Sequence, residues 1–256
     1  MNTNGIAATA ERKDLLSNAQ AENEAARTLS KGGPDYGVTF PLWRAAAGAS
    51  WHDYTRHPFV EGLGDGTLPR KAFMRYLVQD YLFLVQFSRA WALAVTKAET
   101  LDEMRACAKT VHALLDKELH LHVAICAAEG IPEAELFSTR EAPQNIAYTR
   151  YVLDAGHSGD FLDLIAALTP CVLGYGEIGA RLASRGNETG YADWIATYAA
   201  SGYQDTCRAV GSLIDSAVAY RLGSEPQESP RWRRLCNRFE TATRLEVDFW
   251  EMGLSG

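Results

Sequence analysis

Four stretches carry reactive side chains in apolar surroundings. In LTPCVLGYGEIG, residues 168–179, the thiol of Cys171 follows a proline, and Tyr175 stands one helical turn further on. A cysteine facing a pocket can act as a nucleophile and form a covalent intermediate. Pro170 has no N–H to donate, and its ring clashes with the carbonyl four residues back. It therefore bends a helix or starts a new one, and such a break opens neighbouring groups to a pocket. The same residues fit a second reading, an inert cysteine at a tight helix crossing where Gly174, Gly176 and Gly179 permit close approach.

In YLVQDYLFL, residues 76–84, Asp80 lies between Leu77 and Leu84. A carboxylate there must be solvated, paired with a cation such as arginine, or bound to a ligand. In RLEVDFWEMG, residues 244–253, Glu246 and Asp248 interrupt an aromatic helix. Phe249 and Trp250 fall three and four residues after Glu246, on its side of the helix. Apolar cover of that kind raises a carboxyl pKa and suits it to proton transfer near neutral pH. A solvated acid on an amphipathic last helix accounts for the same pattern. Tyr148, Tyr175 and Tyr198 recur at inward positions, as core filler with a satisfied hydroxyl or as ligand contacts.

DKELHLHVAICAAEG, residues 116–130, places Glu118 and His122 four apart, a spacing that could present two metal ligands on one face. A dimetal centre would need further carboxylates and histidines from other helices. The chain has six histidines and none after His157, so iron and zinc are discounted.

Helices must position these groups, because strand signals are nearly absent. Trp43, Ala46, Ala47 and Trp51 share a helical face, and GDGTLP at 64–69 is a turn whose Pro69 opens the next helix. Leu77, Tyr81, Leu84, Phe87, Ser88 and Trp91 repeat at threes and fours. Thr100 with Glu103 forms a capping box for a helix running to Glu129 and stopped by Gly130-Ile131-Pro132. Further helices are expected at 143–155, 160–185, 190–201, 203–221 and 230–252. Ser229 is the expected N-cap of the last, with Pro230 at its first position. The expectation is one all-α domain over 38–256, about eight helices in a bundle, after a polar, flexible tail over 1–37.

Composition removes other classes. Apolar residues make up 47% of 256, enough for a substantial core. A net charge of −7 lacks the basic footprint of a nucleic-acid binder. Five cysteines without a CxxC pair give no zinc-finger pattern, and with no apolar leader they imply free thiols in a reducing cytoplasm. No segment is expected to be long and apolar enough to cross a bilayer.

In order, HPFVEGLGDGTLPRKAFMRYLVQDY (57–81), AYTRYVLDAG (147–156), LIAALTPCVLGYGEIG (164–179), WIATYAA (194–200) and LEVDFW (245–250) resemble the TenA family, also called thiaminase II or aminopyrimidine aminohydrolase, in its cysteine-containing branch. The resemblance covers about Leu42 to Leu254. It implies an all-α fold similar to heme oxygenase but without heme, a homotetramer, and no metal or organic cofactor. It also implies cleavage at the methylene carbon on a 4-aminopyrimidine ring. The substrate would be thiamin or 4-amino-5-aminomethyl-2-methylpyrimidine, and the product the hydroxymethylpyrimidine. By position, Cys171 matches the nucleophile, Asp80 the residue on the pyrimidine amino edge, and Glu246 the acid at the ring nitrogen. Tyr148, Tyr175 and Tyr198 match pocket tyrosines, and His122 and Phe249 are expected just behind the substrate contacts. Phe83 stands where many relatives have tyrosine, which removes a hydroxyl. Two other readings accompany this one: a heme-oxygenase-like dimetal oxidase using Glu118 and His122, and a pyrimidine-binding or regulatory protein without turnover.

Overall fold

The computed structural model describes residues 34–186 and 188–255; most of the expected tail, residues 1–33, lies outside them. Every regular element among the described residues is helical. In chain order these are α1 (Thr39–Ala47), α2 (Ala49–Thr55), α3 (Pro58–Asp65), α4 (Arg70–Lys97), α5 (Leu101–Ala113), a π-helical segment (Leu114–Glu118), α6 (Leu119–Ala128) and α7 (Glu133–Ser138). After them come α8 (Pro143–Ser158), α9 (Phe161–Ser184), α10 (Ala192–Ala199), α11 (Ser201–Leu222), a 3-10 turn (Pro226–Glu228) and α12 (Trp232–Leu254).

The axis of the bundle is α9, packed against α12, α10, α11, α8, α4 and α2. It is buried and mostly apolar over its first three-quarters, as a helix surrounded by others must be. Asp160 and Asp163 form a capping box at its start, and Arg238 Nε donates to Asp163 at 2.6 Å. Pro170 neither ends this helix nor begins another, contrary to one sequence expectation. A proline inside a helix costs about 3 kcal/mol. Five side chains nearby, Leu162, Leu164, Ile165, Leu168 and Leu173, are fully buried. At roughly 1.5–3 kcal/mol each, their burial outweighs that cost severalfold. The same apolarity overturns the expectation about bilayers: Phe161–Ser184 is long and apolar enough to span one by length and composition, yet nearly all of it is buried inside the bundle.

Three other expectations are adjusted. Gly48, with φ of 52°, separates α1 from α2, so Trp43 and Trp51 lie on two short helices. The Thr100–Glu103 capping box forms, but the helix it opens passes through the π-helical segment before resuming as α6. Pro230 and Arg231 form a turn, and α12 starts at Trp232, whose N–H donates to the Ser229 carbonyl at 2.9 Å. Tyr36 is packed in the core, where its hydroxyl donates to Gln204 Oε1 at 2.6 Å.

Three helices carry the reactive groups inward. On α4, Tyr76, Asp80 and Phe83 follow helical spacing and are all buried. On α12, Phe239, Thr243, Glu246 and Phe249 do the same, while Asp248 points outward. On α9, Cys171 and Tyr175 face them.

Candidate active site

An enclosed cavity of about 20 Å³ lies between α4, the π-helical segment, α9 and α11, lined by Asp80, Leu84, Phe87, Leu114, Glu118, Cys171, Val172, Tyr175 and Tyr203. That space holds about one water and is far too small for an aromatic ring. Leu114, Glu118, Val172 and Tyr203 also border an outer cavity of about 340 Å³, together with Thr110, Thr197, Tyr198 and Thr206. Hollows of about 580 and 650 Å³ lie elsewhere and bring together none of the candidate residues, so chemistry rather than size selects the site.

Of the five cysteines, Cys171 alone is not fully buried. Burial pushes its thiol well above the usual range, and the charges of Glu246, Glu118 and Asp80 push it further. The resting group is therefore S–H, and a nucleophilic role requires a proton acceptor. Glu246, beside the thiol, supplies one. Glu246 is pushed up to about 8, first by burial and then by Asp80; the Tyr148 hydroxyl and the Cys171 contact pull the other way. Tyr148 donates to Glu246 Oε1 at 2.8 Å. Glu246 and Tyr148 stand one layer behind the cavity wall and join it through Cys171.

Among the described residues Asp80 has no arginine partner. His122 Nε2 lies 2.6 Å from Asp80 Oδ2, and the Tyr76 hydroxyl lies 3.0 Å from the same oxygen. The other ring nitrogen, Nδ1, is 2.9 Å from the Glu118 carbonyl oxygen, which can only accept, so Nδ1 carries a proton. Burial pulls the His122 pKa down, but the hydrogen bond and charge of Asp80, aided by Glu118, outweigh it and raise the pKa. An imidazolium donating to Asp80 satisfies both contacts. Asp80 Oδ1 has no hydrogen-bond partner among the described residues, which leaves it available to a donor in the cavity.

Glu118, a π-helical residue, accepts from the Tyr198 hydroxyl at 3.1 Å through Oε1. Burial pushes it up to about 7, against the lowering effect of His122. The suggested Glu118–His122 metal pair does not form: the carboxyl takes Tyr198, and both ring nitrogens of His122 are engaged elsewhere. Among the described residues no group of three or more His, Cys, Asp and Glu side chains is arranged to hold a metal ion.

The aromatic candidates divide. Tyr175 lines the inner cavity, its hydroxyl 3.3 Å from that of Tyr76. Tyr198 lines the outer cavity and packs edge-on to Tyr175, with ring centroids 5.0 Å apart. Phe83 does not line the inner cavity; it packs behind, 5.0 Å from Tyr148 and 5.4 Å from Phe249. Phe249 in turn meets the Tyr76 ring edge-on at 6.1 Å.

Sequence reasoning missed four groups. Tyr76 bridges Asp80 and Tyr175, and its place four residues before Asp80 was the available signal. Glu118 was weighed only as a metal ligand. Tyr54 and Tyr203 donate to the carbonyls of Pro170 (3.3 Å) and Val172 (3.2 Å), the residues flanking Cys171. The glycines of α9 make room for such partners. A Cβ on Gly174 would lie 2.2 Å from the Tyr54 ring, and one on Gly176 would lie 2.5 Å from Cys207 Sγ.

Comparison with known proteins places this site in context. The model of the TENA/THI-4/PQQC family matches residues 44–256. The aminopyrimidine aminohydrolase of Halalkalibacterium halodurans is 34% identical over 215 residues, covering 83% of this chain and 90% of that protein. A crystal structure from Silicibacter sp. TM1040, described as a TenA family transcription regulator, is 59% identical with a TM-score of 0.85, covering 86% of this chain and 98% of the other. A domain from Shewanella denitrificans with a heme oxygenase-like fold, 11% identical with a TM-score of 0.62 over 81% of this chain and 88% of the other, shares the fold alone.

Proposed function

The chain belongs to the TENA/THI-4/PQQC family, and from that premise we propose that it is an aminopyrimidine aminohydrolase of thiamin salvage, acting through Cys171 as nucleophile. One observation carries the reading: a thiol paired with a proton-holding carboxyl stands beside a buried aspartate that keeps one oxygen open. The activity for which the Halalkalibacterium relative is named supports the same reading.

A 4-aminopyrimidine seated in the opened inner cavity gives its exocyclic N–H to Asp80 Oδ1. His122 and Tyr76 hold the other oxygen and fix the carboxylate plane, so the ring is oriented before reaction. Glu246 starts protonated near neutral pH. It gives that proton to a ring nitrogen, which makes the adjacent ring carbon electrophilic. As sulfur bonds to that carbon, Glu246 takes the thiol proton, so its own proton count is unchanged. The bond between methylene and leaving group then breaks with its electron pair on the leaving group, water adds its oxygen at the methylene and loses a proton, and expulsion of Cys171 restores the aromatic ring as the ring-nitrogen proton returns through Glu246 to the sulfur. Tyr175 and Tyr198 form aromatic walls; Phe83 and Phe249 act by packing behind Tyr148 and Tyr76.

The aminomethylpyrimidine, thiamin or both are the substrates on this reading, and a cytoplasmic homotetramer belongs to it through the family likeness. The name of the Silicibacter neighbour points instead to regulation, and a net charge of −7 does not favour regulation through DNA binding. Ammonia release from the aminomethylpyrimidine tests the proposal. Cys171→Ser is expected to abolish nearly all release with an unchanged melting temperature. Retained release would reject the nucleophile, and tight binding without release by the unsubstituted protein would favour a binding protein.

A further inference from the structure

Glu118 is the one carboxyl, among the described residues, that borders both cavities. It ends the π-helical segment Leu114–Glu118, an irregularity often found at functional sites. Its Oε1 is held by Tyr198, whereas Oε2 has no hydrogen-bond partner among the described residues. The inner cavity shares with the outer one the wall formed by Leu114, Glu118, Val172 and Tyr203. On the hydrolase reading, a pyrimidine held by Asp80 and attacked by Cys171 must widen the inner cavity, and the shared wall at Glu118 is the side that gives the group on its methylene access to the larger outer space. The outer cavity, at about 340 Å³, has room for a group larger than ammonia.

We propose that Glu118 meets the leaving nitrogen and keeps a departing amine in its ammonium form while the outer cavity receives the leaving group. The inference rests on the hydrolase reading. Glu118 and the amine share one proton, which sits on nitrogen when the methylene–nitrogen bond breaks. The bonding electron pair leaves with nitrogen, ammonia departs, and Glu118 is left as a carboxylate. Water then adds its oxygen to the methylene carbon, and the proton it loses returns to Glu118. Glu246 serves the ring nitrogen and Glu118 the nitrogen outside the ring, so the two acids do separate work. Thiamin makes a different demand. Its leaving nitrogen is already cationic, carries no proton, and departs as a neutral thiazole. For thiamin the Glu118 carboxylate attracts the bound cation without transferring a proton.

The test measures kcat and KM for Glu118→Gln on the aminomethylpyrimidine and on thiamin. On the aminomethylpyrimidine, kcat is expected to fall by about 100-fold or more, the usual scale of a lost proton-transfer group. On thiamin the loss should appear mainly in KM. Glu118→Asp, which keeps a carboxyl, should recover part of kcat on the aminomethylpyrimidine, a recovery that a purely structural role would not give. An unchanged kcat on the aminomethylpyrimidine, or equal proportional losses on both substrates, overturns the assignment while leaving the hydrolase reading intact. If the unsubstituted protein turns over neither substrate, the hydrolase reading fails and takes this inference with it.

Discussion

Tyr148→Phe removes one oxygen and isolates what holds Glu246 at its working pKa. The Tyr148 hydroxyl donates to Glu246 Oε1 at 2.8 Å in a fully buried setting, and this bond favours the ionised carboxyl. A hydrogen bond to a charged group is worth about 1.5–3 kcal/mol, and 1.36 kcal/mol corresponds to one pH unit. Part of that bond persists when Glu246 is protonated, so the difference between its two forms is nearer the lower figure. If protonated Glu246 is the acid, the alkaline limb of kcat/KM, near pH 8 in the unsubstituted protein, should move up by roughly one pH unit. The plateau should fall as well, because a weaker acid protonates the ring nitrogen less readily. The assay is ammonia release from the aminomethylpyrimidine between pH 6 and 10, with melting temperature recorded alongside. An alkaline limb that stays in place or moves to lower pH would refute the assignment of Glu246 as the acid.

Two further outcomes test energetics. Folding raises Glu246 from its ordinary 4.5 to about 8, so the native chain keeps a proton that the unfolded chain releases. That stabilisation is complete below pH 4.5 and is lost as pH rises to 8. Glutamine has no proton to lose, so between pH 5 and 9 the melting temperature of Glu246→Gln should fall less steeply than that of the unsubstituted protein; parallel curves would contradict the raised pKa. Gly174→Ala forces a methyl into the Tyr54 ring. Overpacking of this kind costs about 1–3 kcal/mol, which at about 2–4 °C per kcal/mol is several degrees of melting temperature in a chain this size. A calorimetric scan that shows no fall would mean that Tyr54 has somewhere to go.

The helices were legible because apolar spacing reports them directly. The expected 160–185 and 143–155 became Phe161–Ser184 and Pro143–Ser158. The π-helical segment was not legible, since one widened turn leaves no periodicity of its own within five residues. The helix start allowed for at Pro170 failed for a related reason: local rules weigh its missing N–H but not the burial around it, and burial keeps the helix continuous. At the site, Asp80 stood out because a lone carboxylate in an apolar run must find a partner, yet nothing in the run said that the partner would be His122, 42 positions away. Pro170 and the glycines drew attention to Cys171, but they fit an inert cysteine at a tight helix crossing as well as a nucleophile, and the ordered motifs separated the two readings. Glu118 was visible, but spacing alone cannot tell a metal ligand from a carboxyl facing a cavity.

The missing side chains along α9 also set an angle. Neighbouring residues on an α-helix point about 100° apart, so a small rotation of α9 would turn Cys171 away from Glu246. Gly174 receives the ring of Tyr54, Gly176 the Tyr36 hydroxyl and Cys207, and Gly179 the backbone of Tyr198. A turned or shifted α9 would bring the side chain of Leu173, Tyr175 or Ile178 into those recesses, where none fits. The three recesses therefore act as keyways that fix both the azimuth and the axial position of the helix. The aim of the sulfur is set by where this chain has no side chain at all.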